Sequence, residues 1–143
     1  MTTKGGASGY VAAGLLATVV VAVAVNSIVQ TSNGPTVVTF EVAGYADETY
    51  KIELATPELI EHVKQIMAGE DVALIPNGLV VRDDPSVNAP WSWHIDPASL
   101  NFADVTTEVC DGLPSYVEDG TVTSPYYCPW STKVIDLTGP GAN

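Results

Sequence analysis

The sequence predicts an α+β fold, in which a small and mainly antiparallel sheet carries one main amphipathic helix and one disulfide. Short runs in which apolar and polar residues alternate recur along the chain, and such runs are typical of half-buried strands. Only one stretch combines apolar residues at helical spacing with a clear helix start. The resulting order, ββαβββ(α)β, has few helices and short strands, which favours an antiparallel sheet.

The N-terminal residues have the pattern of an export segment. Residues 10–25 are apolar apart from one Gly and one Thr, and Ala22-Val23-Ala24 resembles a signal-peptide cleavage site. The alternative is an uncleaved membrane anchor that is extended by Ile28 and Val29. In both cases we expect the rest of the chain outside the cytoplasm, either secreted or tethered to the membrane through residues 10–29.

The remainder of the chain is long enough for one domain. Its start is polar and rich in turn formers, and its end is rich in Gly and Pro. We therefore divide the chain into a signal peptide or anchor at 1–29, a linker at 30–36, an α+β domain at 37–138 and a loose tail at 139–143.

The chain is strongly acidic, with a formal charge of −12 from 17 Asp and Glu against 5 Lys and Arg. Such a surface repels the phosphates of nucleic acids and the head groups of anionic lipids. We therefore exclude nucleic acid as a partner. Any membrane contact is expected only through residues 10–29.

The first half of the domain predicts a hairpin followed by a helix. Val37–Val42 and Tyr50–Leu54 alternate as strands on either side of a turn. Thr56 is a typical helix N-cap before a proline at the first helical position, and apolar residues then recur at helical spacing to Ala68. His62 falls off this apolar stripe, so we expect it to be exposed.

Residues 90–111 predict a second strand–turn–strand unit. The run 91–95 alternates large apolar with polar residues and stops at Pro97, and the run 105–109 alternates again. Two such runs with a short connection are expected to pair antiparallel. We assign the apolar side chains to the core, with a sugar- or peptide-stacking platform as the alternative for the Trp pair. The expected core residues are Trp91, Trp93, Ile95 and Trp130.

The rest of the domain predicts two more strands and a short helix. Residues 74–82 form one strand, 114–119 one or two helical turns, and 133–137 the last strand.

The opposite face of the second unit concentrates titratable groups. Pairing of the two runs would bring His94 within reach of Glu108, and an imidazole beside a carboxylate can serve in general acid–base chemistry. No G-x-S-x-G motif supplies a nucleophile, however, and a polar sheet face with a hydrogen-bonded His explains the pattern equally well. The candidate binding residues are Ser92, His94, Asp96, Glu108 and Asp111.

The two cysteines most simply form one disulfide, Cys110–Cys128, in an exported domain of this size. The alternative is a zinc site in which His94 and Asp96 join the two thiolates, although no C-x-x-C spacing supports it. The chain also has no D-x-D-x-D-G loop for calcium. We expect no metal and no cofactor.

Seven segments of the chain carry a family resemblance: 50–54 (YKIEL), 56–57 (TP), 78–81 (GLVV), 88–97 (NAPWSWHIDP), 108–111 (EVCD), 116–119 (YVED) and 128–131 (CPWS). Through these segments, the chain from about Tyr50 to Ile135 resembles a family of small exported proteins from bacteria and slime moulds. It is similar to the N-terminal domain of a cAMP-inducible slime-mould protein, and members are often labelled calmodulin-binding.

The function expected from these observations is binding. We expect an exported or membrane-tethered, disulfide-stapled domain whose ligand is an unidentified protein or small molecule. One alternative is a proteinase inhibitor whose exposed loop is 120–127, braced by the disulfide. The other is a hydrolase that uses His94 with a nearby carboxylate.

Overall fold

The computed structural model describes Gly5 and residues 33–143. The predicted signal peptide or anchor and residues 30–32 of the linker lie outside the described residues, apart from Gly5. In the part of the chain that is described, no helix combines the length and hydropathy that a membrane crossing requires.

The domain consists of two antiparallel sheets. Its strands are β1 (Val37–Val42), β2 (Tyr45–Glu53), β3 (Ile75–Arg82), β4 (Trp93–Ile95), β5 (Asn101–Ala103), β6 (Tyr126–Tyr127) and β7 (Thr132–Thr138). Its helices are α1 (Pro57–Met67), α2 (Pro114–Glu118) and a 3-10 turn at Glu108–Cys110. The predicted α+β class is therefore wrong: within residues 33–143 seven strands dominate, and α1 is the only helix of seven or more residues.

The first sheet has the strand order β2-β1-β7. The predicted hairpin of β1 and β2 is confirmed, with Phe40 opposite Tyr50 in the register. Alternate β1 side chains point into the core, namely Val38, Phe40 and Val42. The last predicted strand is also confirmed as β7, which pairs with the free side of β1.

Helix α1 begins as its sequence predicts. The backbone N–H of Leu59 donates to Oγ1 of the N-cap Thr56 over 3.3 Å, and Pro57 occupies the first turn. Hydrogen bonds from its own backbone N–H and from the Thr56 hydroxyl lower the pKa of Glu58. The exposure expected for His62 is wrong, because strand β5 brings Phe102 under the helix. The two rings stack with centroids 4.5 Å apart, and His62 Nε2 lies 2.7 Å from the carbonyl oxygen of Ala73.

The second sheet is built around β3, which pairs with β4, β6 and β5 along successive parts of its length. The predicted pairing of run 91–95 with run 105–109 is therefore wrong. Residues 105–107 belong to no strand, and the 3-10 turn follows them. Gly78 allows the close packing of this sheet, because a Cβ there would overlap the side chain of Ile95.

An aromatic cluster joins the two sheets. Phe40 stacks on Tyr50 at 5.3 Å, and Tyr127 makes edge-to-face contacts with Tyr50 and Trp93, both at 5.4 Å. These rings are almost completely buried, as is Ile95. Such pairs add about 0.5–1.5 kcal/mol each beyond the burial of apolar area.

The remaining two Trp lie nearer the surface. Trp91 is half-buried, and its indole N–H donates to the carbonyl oxygen of Thr49 over 2.7 Å. Trp130 is 41% exposed, so its assignment to the core is wrong. It directly follows Pro129 and precedes the edge strand β7, a position that leaves its ring at the rim of the domain.

The predicted disulfide Cys110–Cys128 is confirmed. It ties the 3-10 turn to the segment that follows β6, and it removes both thiolates from the zinc alternative. Among the described residues, no group of three or more His, Cys, Asp or Glu is placed to hold a metal ion. A disulfide of this kind indicates an oxidising, extracytoplasmic environment.

Candidate functional site

The five predicted binding residues do not come together in one place, because Ser92, His94 and Asp96 each contact a different part of the fold. His94 lies on β4, opposite Val81 of β3. Its Nδ1 is 2.6 Å from the carbonyl oxygen of Asp84 and 4.0 Å from a carboxylate oxygen of the same residue. With a side chain only 12% exposed, His94 joins β4 to the loop that follows β3.

Two other predicted residues fix turns or neighbouring segments. The backbone N–H and the hydroxyl of Ser92 both donate to Glu118 at 3.0 Å, which joins this segment to α2. A carboxylate oxygen of Asp96 accepts from the backbone N–H of Ala98 at 3.0 Å and closes the turn after β4.

The last two predicted residues lie beside the disulfide. Glu108 begins the 3-10 turn and is exposed. Asp111 accepts a hydrogen bond from the backbone N–H of Trp130 over 2.8 Å. The structure therefore brings Glu108 and Asp111 into one neighbourhood and places Ser92, His94 and Asp96 elsewhere in the fold.

Asn88 explains much of the family-like segment 88–97. Its side chain is 1% exposed; its Oδ1 accepts from the N–H of Lys51 at 2.7 Å, and its Nδ2 donates to the carbonyl of Trp93 at 2.9 Å. One amide thus joins the edge of the first sheet to the second. This segment is a structural junction.

A surface of exposed apolar side chains surrounds the disulfide, and we call it the disulfide surface. Its members are Val105 (83% exposed), Val109 (71%), Tyr126 (42%) and Trp130 (41%). The sequence did not predict this surface: the alternation of 105–109 indicated a buried strand, Trp130 was assigned to the core, and Tyr126 was expected only as part of the alternative inhibitor loop 120–127.

Two grooves lie along this surface on either side of residues 105–106. The larger has a volume of about 400 Å³ and is lined by Asn77, 103, 105–107, 109–110 and 124–126. The smaller, of about 220 Å³, is lined by Ile75, residues 104–106 and Trp130. A cluster of exposed apolar side chains around a concave surface is typical of an interaction site.

Covalent and hydrogen bonds hold the two sides of the disulfide surface together. Besides the disulfide, the N–H of Cys128 donates to the carbonyl of Cys110 at 2.7 Å, and Asp111 holds the backbone of Trp130. A surface that is fixed in advance loses little conformational entropy when a ligand binds.

Two charged side chains hold the short helix α2 in place. Glu48 accepts from the backbone N–H and hydroxyl of Ser115 at its N-terminus, at 3.0 and 2.6 Å. At the other end Arg82 donates to the carbonyl of Val117 in the helix at 2.6 Å, and to that of Val122 in the following loop at 3.0 Å. Both contacts place charges where they favour the helix dipole.

One family model matches residues 36–140, which is most of the chain. The chain belongs to the BP-74 N-terminal domain family. No curated protein and no solved structure matches the chain significantly.

The boundaries of this family domain coincide with a contact in the fold. The hydroxyl of Thr36 donates to the carbonyl of Pro140, so the first and last matched residues meet. Lys64 of α1 also donates to the carbonyl of Asn143 at 3.2 Å. The residues predicted as a loose tail are therefore in contact with the domain.

Proposed function

We propose that this member of the family is an extracytoplasmic binding domain that holds its ligand, a protein or a small molecule, at the disulfide surface. The observation that carries the proposal is the exposure of two Val, one Tyr and one Trp around a covalently fixed pair of grooves. Burial of such groups by a ligand is favourable by about 25 cal/mol for each Å² of apolar area.

The domain acts outside the cytoplasm, secreted or tethered to the membrane by residues 10–29. Two observations support this location: the disulfide requires an oxidising compartment, and residues 10–25 have the composition of an export segment.

The resemblance to slime-mould proteins labelled calmodulin-binding offers calmodulin as one ligand. Targets of calmodulin are basic amphipathic helices. Helix α1 instead carries Glu58 and Glu61 against a single Lys64. We therefore assign the ligand to the disulfide surface and not to this helix.

Inhibition of a proteinase is the second candidate, and it uses part of the same surface. Pro125 and Tyr126 are exposed in loop 120–127, whereas Val122 and Tyr127 anchor the loop in the core. An inhibitor abolishes proteinase activity at one equivalent and remains intact, which residual-activity titration and mass spectrometry measure.

The proposed function is tested by capture of partners from the extracytoplasmic fraction of the native host. Val109→Ser removes an apolar group from the disulfide surface, and Ile135→Ser makes a comparable change at an exposed position of β7. Both variants are expected to melt close to wild type, because exposed substitutions change stability by about 0.5 kcal/mol or less.

Wild type and Ile135→Ser are expected to capture the same species in similar amounts, and Val109→Ser to capture much less. Equal capture by all three proteins would overturn the assignment of the site. Equal loss in both variants would show that capture depends on general surface hydrophobicity.

A further inference from the structure

We infer that the disulfide surface takes an extended basic peptide, in which Lys or Arg side chains alternate with apolar ones. This inference rests on the proposed function and specifies the chemistry of the ligand. Three observations carry it: the charge around the grooves, the kind of apolar side chains exposed, and the state of the backbone beside them.

The first observation is a long stretch of sequence without a basic residue. No Lys or Arg occurs between Arg82 and Lys133, and nearly all groove-lining residues come from this stretch. Asp104 lines the smaller groove directly. Of the eight acids in this stretch, three lie at the disulfide surface, and we call them the acidic rim: Asp104, together with Glu108 and Asp111, which lie beside the disulfide. A ligand with positive side chains gains Coulomb energy here and associates faster.

The second observation is the pairing of aliphatic and aromatic groups. Val105 and Val109 offer apolar contacts, whereas Tyr126 and Trp130 present partly exposed rings. The stems of Lys and Arg pack on such rings, and their cationic ends are attracted to the ring faces. A basic-apolar peptide therefore finds a suitable contact for both of its side-chain types.

The third observation concerns the backbone at residues 105–107. The ladder of β5 ends at Ala103, opposite Ile75, the first residue of β3. Within residues 33–143, no backbone–backbone hydrogen bond involves Val105 or Thr106, and Thr107 has extended angles of φ −86° and ψ 151°. An extended ligand can pair with these groups as an added strand does.

The acidic side chains also favour a basic peptide over two other occupants of an apolar surface, a second copy of the chain and a lipid bilayer. A second copy of the chain would bring another net charge of −12 against the acidic rim. A bilayer with anionic lipids would be repelled in the same way. A basic peptide is attracted by the same charges.

The experiment titrates the intact, oxidised protein with synthetic peptides by calorimetry. The probes are about nine residues long, within the usual length of a β-strand. In each peptide two residue types alternate: Lys and Val, Glu and Val, Ser and Val, or Lys and Ser. We expect Lys–Val to bind at least about tenfold more tightly than each of the other three, with an affinity that falls as salt is raised.

Two pairs of variants locate the contact. Val109→Ser is expected to weaken Lys–Val binding by about tenfold, whereas the exposed control Ile135→Ser changes it less than about twofold. Asp104→Asn is expected to weaken binding about threefold or more, and Glu61→Gln on α1, with the same change in charge, to leave it nearly unchanged. Melting of all four variants confirms that each is folded.

The outcomes separate this inference from the proposed function. If Ser–Val binds as tightly as Lys–Val and Val109→Ser weakens both, the charge requirement is wrong and the binding surface stands. If no peptide binds while partner capture still depends on Val109, the peptide inference fails alone. A dimer that forms at the titration concentration and is lost in Val109→Ser would make a second copy the occupant, and would overturn the inference.

Discussion

The two buried phenols of the aromatic cluster should make the domain sensitive to high pH. Burial is the main cause that raises the pKa of Tyr50 and Tyr127 far above the ordinary value of 10.0. The negative charges of Asp111 and Glu48 add to the effect at Tyr127. The neutral hydroxyl of Tyr127 also donates to the carbonyl of Gly112 at 2.9 Å. At Tyr50 the hydrogen bond with the Thr132 hydroxyl, at 3.2 Å, partly offsets burial and lowers the pKa.

The direction of the pH effect on stability follows from the number of protons that the folded and unfolded states bind. Above about pH 10 the unfolded chain loses both phenolic protons, whereas the folded domain keeps them. The unfolded state then binds fewer protons, so the free energy of unfolding falls as pH rises. The loss is about 1.4 kcal/mol per pH unit for each Tyr, or about 2.7 kcal/mol for both; below pH 10 neither phenol contributes a slope.

Urea unfolding between pH 8 and pH 11.5 measures this loss. Tyr50→Phe and Tyr127→Phe should each cost about 1 kcal/mol at pH 8 through a lost hydrogen bond. Each should also remove about half of the slope above pH 10. Tyr45→Phe is the control, because this side chain is 54% exposed and should leave the slope unchanged. A stability that stays level to pH 11.5, or a slope that neither core variant reduces, would refute the burial argument.

Three further outcomes can be checked by the same unfolding assay and by mass spectrometry. Trp93→Ala should cost about 3–5 kcal/mol because the ring is fully buried, whereas Trp130→Ala at the rim should cost less than about 1 kcal/mol; equal losses would contradict the packing. Asn88→Ala should cost about 2–4 kcal/mol, because it leaves a backbone donor and a backbone acceptor unpaired in the interior, and near-wild-type stability would refute that role. Alkylation without reductant should add no mass at Cys110 or Cys128, and reduction should lower stability by about 3 kcal/mol; labelled thiols in fresh protein would exclude the bond.

Short sequence patterns were sufficient to predict those parts of the fold that depend on local contacts. The β1–β2 hairpin, the Thr56 N-cap and the disulfide follow from alternation, capping chemistry and the presence of only two Cys. The fold class was not predictable in the same way. Residues 93–95 pair with β3, from which they are separated by a loop, and no local pattern distinguishes this pairing from one with 105–109.

The candidate site was missed because an exposed apolar pattern was interpreted as a buried strand. Val105 and Val109 alternate with polar residues as in a half-buried strand, but β3 begins at Ile75 and offers residues 105–107 no partner. Ser92 and His94 of the predicted site form contacts within the fold, and a ligand at these residues stays a prediction. The stretch without Lys or Arg was visible in the sequence and could have indicated the acidic rim.

Photo-crosslinking from the disulfide surface tests the proposed function most directly. A photoreactive amino acid is placed at position 109 or, as the control, at position 135, and the oxidised protein is irradiated with the extracytoplasmic fraction. We expect a discrete covalent adduct from position 109, competed by the Lys–Val peptide, and none from position 135. Adducts of equal yield from both positions, or an adduct from position 135 alone, would contradict binding at the disulfide surface.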